Sequence, residues 1–226
     1  NTGEVDGDGI DNDGNGFVDD VRGWDFVNTN PEDVYPGEDP GPPDNDPMDF
    51  YGHGTHVAGI AAAAGNNGVG VTGVSWHGRI MPLRAGYKHK YGAGYLESAD
   101  IVAALVYAAE NGADIINMSF GAPNASIAER IAMDYAMSRG CLLVAAAGND
   151  RADWPFFPAA FNRVLSVAAL EDGSNAKAGF SNYGLWVDVA APGMSIYSTL
   201  IGDKYGSMSG TSMACPIVAG VASLVK

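Results

Sequence analysis

An α/β fold is predicted, a three-layer sandwich with helices on both faces of a mostly parallel sheet, and three observations predict it. From His53 onward short apolar runs alternate with helical patterns, and that repeated order makes neighbouring strands parallel. The 31 glycines are scattered and punctuate the apolar runs, as tight turns between short elements require. A length of 226 residues at 46% hydrophobic content supplies one substantial core, so residues 1–226 are expected to form a single domain.

Taken in order, residues 1–20, NTGEVDGDGIDNDGNGFVDD, alternate Asp, Asn and Gly with almost nothing apolar, so they form a loop and not core. GWDFV at 23–27 reads as a short strand, and the Pro-rich acidic stretch 30–49 as surface loop. RIMPLRA, DIINMSF, LLVAAAGN and VLSVAAL read as strands. Between them, 98–111 carries Ile101, Leu105 and Ala108 on one helical face and meets Gly112 as its stop. The helix over 125–139 opens on a Ser126–Glu129 capping box and stops at Gly140.

Acidic residues outnumber basic ones 27 to 12, a formal charge of −15, which argues against a nucleic-acid partner and suits cation binding. No stretch is long and apolar enough to span a bilayer. Cys141 and Cys215 each lie inside an apolar segment and are expected as buried free thiols.

Three segments fall where a parallel sheet gathers ligands, at the carboxyl ends of strands. GHGTHVAGIAAA sets His56 at a helix start among Gly, Ala and Val, so nothing bulky shields its imidazole. LLVAAAGND ends a strand on Gly148 and the polar amide of Asn149. SGTSMACPIVAGV sets Ser212 at the N-terminus of the last helix, where unpaired N–H groups and the helix dipole favour developing negative charge. Together these supply a base, an oxyanion donor and a nucleophile, the parts of an acyl-transfer site. His53 and His56 with Asp49 lack the His-Glu-x-x-His spacing of a zinc hydrolase. Ala214 stands where a Gly-x-Ser-x-Gly elbow needs its last glycine, which weakens an α/β-hydrolase reading.

GHGTHVAG, AAAGN and GTSMACP in this order, with INMSFG, FSNYG and VAAPG, resemble the subtilisin-like serine proteases over essentially the whole chain. The resemblance implies that Ser212 attacks a peptide carbonyl, that His56 takes its proton, and that Asn149 with the Ser212 N–H holds the oxyanion. It also implies that Ser119, Phe120 and Gly121 on one side, and Ala146, Ala147 and Gly148 on the other, are the cleft edges that pair with extended substrate. The family's carboxylate comes first in the chain, as Asp-Ser-Gly or Asp-Thr-Gly after an apolar run, and no such segment is present. NTG at 1–3 offers an amide, and Asp25 in GWDFV resembles the family's second strand instead. The chain is therefore expected to be partial at both ends, with the aspartate upstream of residue 1. A pseudoprotease without that carboxylate, or a calcium-binding module, is the rival reading.

The acidic opening has the spacing of an EF-hand-like loop: Asp11, Asp13 and Asn15 at positions one, three and five, Gly16 at six, Asp19 at nine. Arg22 replaces the usual Glu at position twelve. Clustered carboxylates repel one another unless a cation compensates them, so residues 1–22 are expected to be a calcium-binding insertion. The expected ligands are Asp11, Asp13, Asn15, the Phe17 carbonyl, and Asp19 or Asp20. The whole then reads as a secreted, calcium-stabilised endopeptidase whose partners are protein or peptide substrates and its own propeptide.

Overall fold

The computed structural model describes residues 1–226. In chain order the elements are β1 (Trp24–Asp25), α1 (His53–Ala62), β2 (Leu83–Arg84), β3 (Gly86–Lys88), β4 (Gly94–Leu96), α2 (Ser98–Glu110), β5 (Ile115–Met118), α3 (Ile127–Ser138), β6 (Leu142–Ala146), β7 (Leu165–Leu170), β8 (Val189–Pro192), β9 (Ile196–Leu200), β10 (Lys204–Met208) and α4 (Thr211–Val225). The chain packs as two compact units, Asn1–Tyr51 with Met81–Ala113, and Gly52–Ile80 with Asp114–Lys226.

The second unit holds the predicted parallel sheet, in the order β5-β6-β7-β8. Its strands are short and apolar because both faces are covered. Val144, Ala146, Val167, Ala169 and Ala191 join Ala214, Cys215 and Ala219 of α4 in one buried cluster. Strand alternation turns Leu143 and Ala145 to the opposite face, and they are fully buried too. Each fully buried Val or Leu in such a core contributes about 1.5–3 kcal/mol. α3 packs on β6, and its start is as the sequence indicates: the Ser126 hydroxyl accepts the Glu129 N–H at 3.3 Å. Both cysteines are free and buried, as expected, and burial pushes the Cys215 thiol up to about 12.

α1 packs against α4 and β9. The contact with β9 is close because Gly59 has no side chain: a Cβ there would lie 2.1 Å from Thr199 Oγ1 and 2.5 Å from Ser198 Oγ. Those hydroxyls instead donate to the carbonyls of Thr55 and His56, each at 2.8 Å, and staple the first turn of α1 to the β9–β10 hairpin.

In the first unit β1 and β2 pair in parallel and β3 and β4 form an antiparallel hairpin. The predicted strand at 23–27 shortens to two residues, although Phe26 and Val27 beyond it stay buried. Phe26, Ala104 and Tyr107 form the core, with Phe17 and Trp24 packed edge-on around them. Beside it lies a buried charge network in which the Arg84 guanidinium pairs with the carboxylates of Asp25 and Glu38 and also donates to the Asp39 carbonyl at 2.7 Å. Burial pushes the Asp25 carboxyl up to about 6, outweighing the Val27 N–H and the Arg84 charge that favour its ionised form.

Candidate active site

Ser212 is the second residue of α4, so its N–H belongs to the helical turn that has no intrahelical acceptor. Pro216, four residues on, cannot donate to the Ser212 carbonyl. The structure supplies a substitute donor, because Ser119 Oγ, just past β5, reaches that carbonyl at 3.0 Å. In return Ser212 Oγ donates to the Ser119 carbonyl, also at 3.0 Å, and Asn117 Nδ2 donates to Ser119 Oγ at 2.9 Å. The first turn of α4 is thereby tied to the carboxyl end of the sheet.

Asn149 is held by its oxygen alone. Oδ1 accepts the Thr211 N–H at 2.8 Å and the Thr211 hydroxyl at 3.1 Å, while Thr211 Oγ1 accepts the Gly148 N–H at 3.0 Å. With the oxygen fixed on the helix start, the two Nδ2 protons are donors left for a ligand. The turn carrying Asn149 is itself shaped by Asn182, fully buried, whose Oδ1 accepts from the N–H groups of Asp150 and Ala152 and whose Nδ2 donates to the Ala147 carbonyl. Gly148 has φ +99°, and a Cβ there would lie 2.4 Å from Asn182 Nδ2, so only glycine fits. Thr211 and Asn182 carry this geometry, although nothing in their local sequence singles them out. Their one signal was membership of GTSMACP and FSNYG, polar residues flanking apolar runs.

His56 departs from the expectation of an open imidazole. It is fully buried, because the β9–β10 hairpin folds over α1, and Nε2 lies 3.1 Å from the Gly206 carbonyl of β10. A carbonyl only accepts, so Nε2 carries a proton here. Nδ1 is buried with no hydrogen-bond partner. Asp25 is already engaged by Arg84 and by the Val27 N–H, at 2.8 Å for the latter.

A cleft of about 580 Å³ opens at Ser212 and Asn149. Phe120, Gly121, Ala146 and Gly148 of the expected edges line it, with Trp154 and Phe156 beyond them. Ser119 and Ala147 are buried behind it, Ser119 bonded to Ser212, and the Ala147 N–H donating to the Val167 carbonyl at 2.9 Å.

In the other unit the acidic loop is sewn by its own carboxylates. Asp11 accepts the N–H groups of Gly14, Asn15 and Gly16, which hold its carboxyl below the usual range, that of Gly16 most strongly. Asp19 accepts from Gly7, Asp8 and Gly9, and Asn15 Oδ1 accepts the Phe17 N–H at 2.8 Å. The acidic groups that converge are Glu4, Asp13 and Asp20, with one oxygen of each within 4.8 Å of the others. Asp20 is fully buried, and the side-chain groups of Asn1, Asn15 and Tyr107 that donate to it are all neutral. Glu4 was not among the ligands expected from spacing, since it lies seven residues before the EF-hand-like run.

Comparison with known proteins extends over the same residues. The model of the subtilase family matches residues 8–226. A thermophilic serine proteinase of Bacillus sp. strain AK1 is 44% identical over 205 residues, 91% of this chain and 46% of the relative; thermitase of Thermoactinomyces vulgaris is 40% identical over 205 residues, 91% and 67%. The chain thus spans about half the length of the first relative and two thirds of the second. Among solved structures, proteases from Pseudoalteromonas arctica superpose with a TM-score of 0.77 at 35% identity, covering 90% of this chain and 70% of theirs. Sphericase gives 0.75 at 32%, covering 89% and 68%. A family model matched over nearly every residue, on a fold that brings Ser212 and Asn149 into one cleft, settles the kinship: this chain belongs to the subtilase family.

Proposed function

We propose that the protein is a serine endopeptidase that hydrolyses peptide bonds of extended polypeptides through an acyl-enzyme. The observation that carries the reading is the pairing of an anchored Asn149, its amide protons unspent, with Ser212 in one cleft at a helix N-terminus. Ser212 Oγ bonds to the scissile carbonyl carbon while its proton passes to His56. The oxyanion is held by Asn149 Nδ2 and the Ser212 N–H. His56 then protonates the leaving amine as the C–N bond breaks, and water, deprotonated by His56, releases the acid.

For this His56 must present an unprotonated Nε2 to Ser212, the opposite of the tautomer bonded to Gly206. A carboxylate accepting Nδ1–H inverts the tautomer and satisfies the buried orphan nitrogen. We assign that role to an aspartate supplied from sequence preceding residue 1. A fluorophosphonate probe is expected to label Ser212 in the native protein and to leave Ser212→Ala unlabelled; equal labelling of the two would end the reading. Labelling without turnover of any peptide would favour the pseudoprotease.

Calcium is part of the proposal. Glu4, Asp13 and Asp20 offer three hard oxygen donors, and a fully buried carboxylate without a cationic partner is where a divalent ion compensates most. The ion would neutralise the loop and tie it to α2 through the Asp20–Tyr107 contact. Stabilisation by a ligand at a hundred times its Kd is about 2.7 kcal/mol, so chelation is expected to lower Tm by about 5–10 °C. Asp13→Asn should abolish that shift, and a melt unmoved by chelator would refute the site. Release outside the cell, action on protein substrates and an inhibitory propeptide complete the reading.

A further inference from the structure

We propose that Phe156 limits the size of the side chain accepted next to the scissile bond, making this a protease that cleaves after compact residues such as Ala or Val in preference to aromatic ones. The inference rests on the protease reading above and adds a substrate class to it.

Gly121 and Gly148 stand one on each cleft edge, and the same edge of the Phe156 ring touches both. A Cβ on Gly121 would lie 2.4 Å from Phe156 Cε1 and 2.8 Å from Cδ1; one on Gly148 would lie 2.9 Å from that same Cδ1 and 3.0 Å from Cγ. The ring therefore lies against both edges at once and floors the gap between them. A substrate stretched along those edges sends its side chain into that gap and meets an aromatic floor.

The ring cannot withdraw cheaply. Phe157 exchanges both backbone hydrogen bonds with Ala122, at 2.7 and 2.8 Å, which fastens the segment beside Gly121. The Phe156 carbonyl accepts the Ala160 N–H at 2.8 Å. The cleft is also lined by Pro123, Asp150 and Trp154. Bulk that must displace a ring carried on a fastened segment is poorly tolerated, whereas a methyl or isopropyl group rests on it.

The test is a series of peptide anilides differing only in the residue before the scissile bond, Ala, Val, Leu or Phe, with kcat/KM measured for the native protein, Phe156→Ala and Phe156→Leu. The native protein is expected to favour Ala over Phe by about tenfold, and Phe156→Ala to raise the Phe/Ala ratio by about tenfold or more, the scale of a pocket that gains or loses a few carbons. Phe156→Leu, which keeps most of the packing, should move the ratio the same way by less. A native preference for Phe, or a ratio unmoved by both variants, overturns the inference while leaving the protease reading intact. Should Ser212 be labelled without turnover, the same ratio is read from the Kd of matched peptide boronic acids. Absence of both turnover and labelling removes the protease reading, and this inference with it.

Discussion

Asn149→Asp is expected to leave the melting temperature unchanged or slightly raised and to reduce kcat by about 10²–10³ with little effect on KM, the loss known for removal of the corresponding asparagine of subtilisin, a relative. The direction is specific to this site. Asn149 is anchored only through Oδ1, by the N–H and hydroxyl of Thr211. An aspartate is isosteric, keeps that acceptor and places negative charge at the start of α4, where the helix dipole favours it. What it loses is the pair of Nδ2 donors. A residue serving only as a helix cap would survive the change; a residue stabilising an oxyanion would not. Steady-state kinetics and a thermal melt on the same preparation separate the two roles, and undiminished kcat would remove Asn149 from the mechanism.

Arg84→Met is expected to destabilise the protein by about 3–5 kcal/mol near neutral pH, the cost of removing one partner from a buried ion pair. Asp25 and the Glu38 side chain are 0% and 2% exposed, so neither carboxylate regains water when the guanidinium goes. The pH dependence follows from the Asp25 carboxyl, which titrates at about 6 in the fold against 3.8 for an ordinary aspartate. Between those values the folded state holds the proton more than the unfolded chain does, so this group's contribution to stability falls as pH rises through the window. Without Arg84 the ionised form loses its main compensating charge. The loss caused by Arg84→Met should therefore be larger at pH 7.5 than at pH 5, as read from urea midpoints of the two proteins at each pH. Equal losses at both would show that Asp25 does not titrate with the pair.

Much of the fold is legible along the chain because its signals are local. The capping box at Ser126, the stops at Gly112 and Gly140, and the apolar runs of β5, β6 and β7 each depend on residues within a few positions. The hairpins β3–β4 and β9–β10 were not legible, since polar and glycine-rich strands at short edges carry no alternation to read. The acidic loop divides the same way. Spacing pointed to a cation loop, but the convergence of Glu4 with Asp13 and Asp20 depends on bonds such as those from the Asn12, Asp13 and Asp19 N–H groups to the Glu4 carboxylate, which exist only once the loop has closed.

By itself the sequence determined the α/β class and the family, because GHGTHVAG, AAAGN and GTSMACP are short motifs whose residue types are set by local backbone geometry. Tertiary structure alone decided the rest. It buried His56 under a hairpin some 150 residues downstream and fixed its tautomer on Gly206, repaired the carbonyl freed by Pro216 with Ser119, and wedged Phe156 between two glycines. These are contacts between residues far apart in the chain, and their hydrogen bonds and close approaches form only when burial brings the segments together.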